Sequence, residues 1–161
     1  MMNKVIARGR QYYEDSQGNL ILAIYVKESP VKVRGPKDLF PYLTEERTDC
    51  QENMIVFTLD GHNQVINKNV ISRGIANQCQ VHPREVFKPA IADHAVSILI
   101  CHNHPSGNTE PSEADIVATK RMFEVSQLVG IALLDHIIVT AMDFLSIREL
   151  RPGLFSLTGG Y

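Results

Sequence analysis

Three cysteines, Cys50, Cys79 and Cys101, are all that the sequence has, an odd number with no Cys-x-x-Cys pair. A disulfide framework is therefore not expected, and a reducing, cytoplasmic setting fits. No uninterrupted apolar run is long enough to span a membrane, and Met1 to Tyr13 lacks the apolar stretch of a signal peptide. An excess of positive charge is missing as well. With a net charge of −2 and a pI near 6.3, the chain exerts no global attraction on phosphate, so contact with DNA draws no support from its charge. What is present is the composition of an ordinary globular protein, and 161 residues at 44% hydrophobic suffice for one domain around a single sizeable core.

Chemistry concentrates between Cys101 and Asp115. Ala95 to Cys101 is a short, β-branched apolar run that reads as a buried strand. Residues two apart share a strand face, so His102 and His104 can aim their imidazoles at one point where that strand ends. Pro105, Gly107 and Pro111 then break regular structure and let the chain turn back, presenting Asp115 from the first turn of a following helix. Ser112-x-x-Asp115 also reads as that helix's start, a capping box with Asp in place of Glu. The two roles are compatible, because a first-turn carboxylate can serve the helix terminus and still face a neighbouring cation. Two nitrogens and one carboxylate oxygen suit Zn²⁺ with a fourth position open to water.

The conjunction of His-x-His, seven residues, Ser, two residues and Asp resembles the metal-binding signature of the JAMM (MPN+, JAB) metalloprotease domain. Three segments look like successive motifs of the RadC family of bacterial JAMM-like proteins: His82-Pro83-Arg84-Glu85-Val86-Phe87-Lys88, His102-Asn103-His104-Pro105-Ser106-Gly107 and Leu134-Asp135-His136-Ile137-Ile138-Val139. The resemblance runs from about Thr44 to Leu150. It implies an α/β fold, a mixed twisted sheet flanked by helices around a JAMM/MPN (cytidine-deaminase-like) core, with residues 36–161 as the domain and 1–35 as an N-terminal extension. Full-length RadC members carry a helix-hairpin-helix-like region ahead of this domain. Its Gly-rich pattern does not appear here, so DNA contact through that module is not expected.

In chain order, Leu20 to Val26 after the turn signal Asp15 to Asn19, and Val31 to Arg34, read as strands. Pro36 opens a helix to about Arg47 with Leu39, Phe40 and Leu43 on one face. Met54 to Leu59 reads as a core strand, Asp60-Gly61-His62-Asn63 as a hairpin turn into Val65-Ile66, and Val70 to Gly74 as a third strand. His82-Pro83 opens a helix through His94 with Val86, Ile91 and Ala95 inward, which Pro89 should kink or cut short. Arg84 and Glu85 read as helix-terminus residues. Ser112 to Val129 is an amphipathic helix with Ile116, Val117, Met122, Phe123 and Leu128, stopped by Gly130. Ile131 to Thr140 is an apolar strand interrupted by Asp135 and His136, which need partners if buried. Asp135 is a candidate to orient a ligand histidine, and His136 reads as a structural histidine before it reads as a fourth ligand. Phe144 to Ile147 is a last edge strand, and Gly159-Gly160-Tyr161 a loose tail.

What the resemblance implies for mechanism is a zinc held by His102, His104 and Asp115, which lowers the pKa of a bound water to about 7. Glu52 matches the catalytic glutamate that takes the water's proton and returns it to the leaving nitrogen, with Glu45 and Glu46 as rivals for that role. Ser112 matches the donor to the oxyanion. The substrate would then be a peptide or protein cleaved at an amide or isopeptide bond. A phosphodiester is one alternative, given the DNA-repair label carried by RadC-like proteins. A non-enzymatic interaction module, as in relatives that have lost their ligands, is another, although all three ligands are present here.

Overall fold

The computed structural model describes residues 3–7, 10–14, 20–22, 31–74 and 81–156, in two compact units, Met1–Pro30 and Val31–Tyr161. In the first, β1 (Asn3–Ala7), β2 (Arg10–Glu14) and β3 (Leu20–Leu22) form an antiparallel sheet in that order. The strand expected over Leu20 to Val26 is therefore seen for Leu20–Leu22. Residues 23–30, the turn at 15–19, Cys79 and the tail at 159–161 lie outside the described residues.

The second unit is α/β. Its mixed sheet has the order β5-β4-β6-β7-β8, from β4 (Asn53–Leu59), β5 (Val65–Arg73), β6 (Ser97–Asn103), β7 (Ala132–Val139) and β8 (Phe144–Ser146). Only β6 and β7 run parallel, joined by a helical crossover as a parallel pair requires. The central strands carry almost no charge because both faces are covered. Val56, Ile98, Ile100 and Ile138 pack with α2 (Pro83–Ala92) and α3 (Glu113–Val129) through Val86, Phe87, Ala90, Met122 and Phe123. Their alternates Ile55, Phe57, Leu99, Cys101 and Ile137 pack with Val33, Leu39 and Leu43 on the other face.

Several expectations need correction. Residues 36–47 are not one helix but two 3₁₀ turns, Pro36–Asp38 and Phe40–Leu43, followed by the single turn α1 (Thr44–Arg47). Pro41 lacks the N–H that a continuous helix would use and restricts Phe40 before it. Val65-Ile66 and Val70 to Arg73 are one strand, β5. The polar residues between them hid this. Asn67 donates to Asp93 (2.8 Å) and Lys68 to Glu46 (2.7 Å), while β4 is the one strand that β5 pairs with at the sheet edge. Helix α2 continues across Pro89, with Pro83, Val86, Phe87 and Ala90 inward, whereas Ile91 is 58% exposed. Val117 and Leu128 on α3 are exposed too, and Thr119, Met122, Phe123 and Ser126 take the buried positions. A mostly apolar groove of about 470 Å³, lined by Ile91, Val125 and Val129 among others, runs between these two helices. The last elements among the described residues are α4 (Ile147–Leu150) and a 3₁₀ turn whose Phe155 packs edge-on against Phe123.

Candidate metal centre

Strand β6 carries the buried His102 to the rim of the sheet, and His104 follows one residue past the strand's end, its N–H donating to Val139 O (2.9 Å). The chain then reverses through Gly107, whose φ of 80° suits glycine, and reaches Ser112. There the predicted capping box forms. Ser112 Oγ accepts from the Asp115 N–H (3.2 Å), and Asp115 Oδ2 accepts from the Ser112 N–H (2.7 Å) and hydroxyl (2.6 Å). The result is a carboxylate fixed at the helix start and turned toward the histidines.

The two imidazoles meet that carboxylate through their Nε2 atoms. The Nε2–Nε2 distance is 2.9 Å, His102 Nε2 is 3.2 Å from Asp115 Oδ1, and His104 Nε2 is 3.6 Å from Asp115 Oδ2. Each Nδ1 is engaged elsewhere, that of His102 with His136 (2.8 Å) and that of His104 with Asn108 O (2.8 Å). Glu52, half-buried just ahead of β4, completes a group of four whose donor atoms all lie within 4.8 Å of one another. Bonds of 2.0–2.1 Å to a tetrahedral zinc imply ligand separations of about 3.3–3.4 Å, and the three measured distances bracket that value. Two imidazole nitrogens with carboxylate oxygens are also the donor types zinc takes, so these residues fit the ion. Among the described residues this is the one such cluster.

Electrostatics point the same way. Burial works against the Asp115 carboxylate, but its close contacts with the His102 and His104 rings outweigh it and hold the carboxyl well below its ordinary range. The same contact with Asp115 raises the pKa of His104 against partial burial. The pocket thus collects negative charge around two nitrogen bases and favours a cation.

Glu52 is positioned by a residue that sequence reading passed over. Asn103, fully buried between the two histidines, accepts from the Asn53 N–H (2.7 Å) and donates to Gln51 O (2.9 Å). It therefore clamps the backbone on both sides of Glu52 to the strand that carries His102. Strand alternation, which turns Asn103 away from its neighbours, was the available signal. The rival acids lie elsewhere: Glu45 is exposed, and buried Glu46 pairs with Lys68 at 2.7 Å. Asp135 does not orient a ligand histidine. It accepts from Ser146 Oγ (2.6 Å) and from the N–H groups of His136 and Arg148, tying β7 to β8 and α4. His136 is fully buried and touches His102 from behind; burial, reinforced by His102, keeps its ring well below the ordinary histidine pKa. Arg84 and Glu85 pair with each other on the surface (3.2 Å), where such contacts contribute little. No helix among the described residues is long and apolar enough to cross a membrane.

Residues 33–153 match the family model described as the RadC-like JAB domain. Similar curated proteins include a UPF0758 protein of Finegoldia magna, 55% identical over 98 residues that cover 61% of this chain and 44% of that protein. Another, from Clostridium perfringens, is 45% identical over 120 residues, 74% of this chain and 53% of its own. A third, from Methanosarcina barkeri, is 40% identical over 129 residues, 80% and 56% respectively. The chain spans about half the length of the curated relatives it matches.

Proposed function

The chain belongs to the RadC-like JAB domain family, whose fold with this Glu, His, His, Asp group fits a metal-dependent hydrolase, and on that premise we propose a zinc-dependent peptidase that cleaves amide or isopeptide bonds in a protein substrate. The observation that carries the reading is the convergence of His102 Nε2, His104 Nε2 and the Asp115 carboxylate within 2.9–3.6 Å, with both Nδ1 atoms tethered. Zinc bound there supplies Lewis-acid polarisation of a water, lowering its pKa to about 7.

The chain's own residues do the rest. Glu52, beside the ligands and partly open to solvent, accepts the proton of the attacking water and passes it to the departing nitrogen. Ser112 is exposed, and its hydroxyl can turn from Asp115 Oδ2 toward the substrate carbonyl oxygen as that atom gains charge. Asp115 Oδ2 keeps the Ser112 N–H at 2.7 Å when this happens, so the ligand carboxylate stays in place. The free thiols Cys50 and Cys101 support a cytoplasmic setting. A panel of ubiquitin-like fusions, peptides and single-stranded DNA, incubated with zinc-loaded chain, tests the proposal. Cleavage of an amide-linked member that stops in Glu52→Gln is expected. Glu52-dependent cutting of DNA alone would replace this reading with a phosphodiesterase.

A further inference from the structure

We propose that Thr119 and His136 are positioning residues that fix the ring tautomer of His102, so that its Nε2 offers a lone pair to the metal; the inference rests on the metal-site reading above. Four contacts close a ring through α3, β6 and β7. Thr119 Oγ1 donates to the backbone carbonyl of Asp115 (2.6 Å), and His136 Nδ1 lies 2.6 Å from the same hydroxyl oxygen. His136 Nε2 lies 2.8 Å from His102 Nδ1, and His102 Nε2 returns to Asp115 Oδ1 at 3.2 Å.

The direction of each hydrogen bond follows from the last link backward. A carbonyl only accepts, so the single Thr119 hydroxyl proton is committed to Asp115, and Oγ1 has only lone pairs to offer His136. His136 Nδ1 must therefore carry a hydrogen. The His136 ring is 1% exposed, and its two partners, a hydroxyl and another imidazole, bring no negative charge to compensate a buried imidazolium. Neutral and protonated at Nδ1, His136 can only accept at Nε2. His102 Nδ1 is then the donor, and His102 Nε2 is left bare. Local geometry supports each step. Thr119 is four residues after Asp115 and shares its helix face, and His136 pairs with Ile100, two residues before His102, so both rings occupy one face of the sheet.

Thr119→Val keeps the shape of the side chain and removes the hydroxyl. His136 Nδ1–H then has no acceptor, and the ring gains a hydrogen bond by moving its hydrogen to Nε2 and donating to His102. That change forces the His102 hydrogen onto Nε2, where it covers the lone pair the metal needs.

The test uses the whole chain stripped of metal. Long-range proton–nitrogen correlation spectra should show both wild-type rings protonated at Nδ1, and Thr119→Val should move His102 to the Nε2–H form. Zinc titration against a chelating indicator should find Thr119→Val weaker by about 10–100-fold. Thr119→Ser, which restores the hydroxyl, should return to wild-type affinity, and thermal melts of the metal-free variants establish that each folds. An Nε2–H His102 in wild type, or a folded Thr119→Val that binds zinc as tightly as wild type, overturns the proposal. Wild type that binds no zinc overturns the metal-site reading instead, while the wild-type spectra still decide the tautomer.

Discussion

Replacing Asn103 with alanine should separate zinc binding from catalysis. Asn103 serves three backbone groups, the Asn53 N–H at 2.7 Å, Gln51 O at 2.9 Å and, more weakly, Asp49 O at 3.4 Å. Gln51 O also receives Asn53 Nδ2 at 2.9 Å, so Asn103→Ala leaves it a partner. The buried Asn53 N–H loses its acceptor, and an orphaned buried group costs about 1–3 kcal/mol. For a chain of this size that corresponds to a fall of about 2–12 °C in Tm, readable by circular dichroism. Zinc content should stay near wild type, because the hydrogen bonds of the Asn103 side chain go to Asn53, Asp49 and Gln51 and not to His102, His104 or Asp115. Turnover should fall, because the backbone on either side of Glu52 is no longer clamped. A double-mutant cycle with Glu52→Gln isolates that route: Asn103→Ala should slow wild type and leave the Glu52→Gln background unchanged. Equal slowing in both backgrounds, or an unchanged Tm, would refute the clamp.

Other substitutions probe the remaining parts. Glu52→Gln should keep its zinc and lose about 10²–10⁴-fold in turnover, whereas Asp115→Asn should weaken zinc binding and activity together; zinc analysis beside a rate measurement separates the two. Ser112→Ala removes the N-cap of α3 as well as the proposed oxyanion donor, so denaturant melts should show about 0.5–2 kcal/mol lost in addition to slower turnover. The Asp60 carboxyl accepts from the Gln64 and His62 N–H groups (both 2.8 Å); the Gln64 bond, opposed by slight burial and helped by His62, holds it below its ordinary value. Its folded pKa being depressed, the stability it contributes is full above the unfolded value near 4 and is lost as pH falls through the folded one. Asp60→Ala should therefore flatten the acid side of a Tm-against-pH curve, and an unchanged acid side would remove Asp60 from the account of the turn.

The parts of the site legible in the sequence were those set by local spacing. His102 and His104 are two apart on a strand, Ser112 and Asp115 three apart at a helix start, and both periodicities are fixed by backbone geometry. Glu52 could be placed at a strand entrance and preferred over its rivals Glu45 and Glu46, but the Lys68 partner that occupies Glu46 lies too far along the chain to be read from spacing. Contacts that join distant segments left no local trace of which residues would meet. Asn103 meets Asn53 across 50 residues and His136 meets His102 across 34, and only the sheet order brings them together. The inward face of α2 was misread where an apolar residue lines an open groove. Ile91 belongs to such a groove, and periodicity alone cannot tell an apolar residue facing the core from one facing solvent. Polar Asn67 to Asn69 likewise concealed the continuity of β5, because an edge strand needs apolar side chains on neither its outer rim nor its backbone ladder.

The most direct measurement is elemental analysis of chain purified without added metal or a polyhistidine tag, wild type beside His104→Ala. His104 is one of the three side chains that converge within 2.9–3.6 Å. Wild type should carry about one zinc per chain and His104→Ala should lose most of it. Zinc that stays at the wild-type level in a folded His104→Ala would assign the metal to other residues and contradict the site.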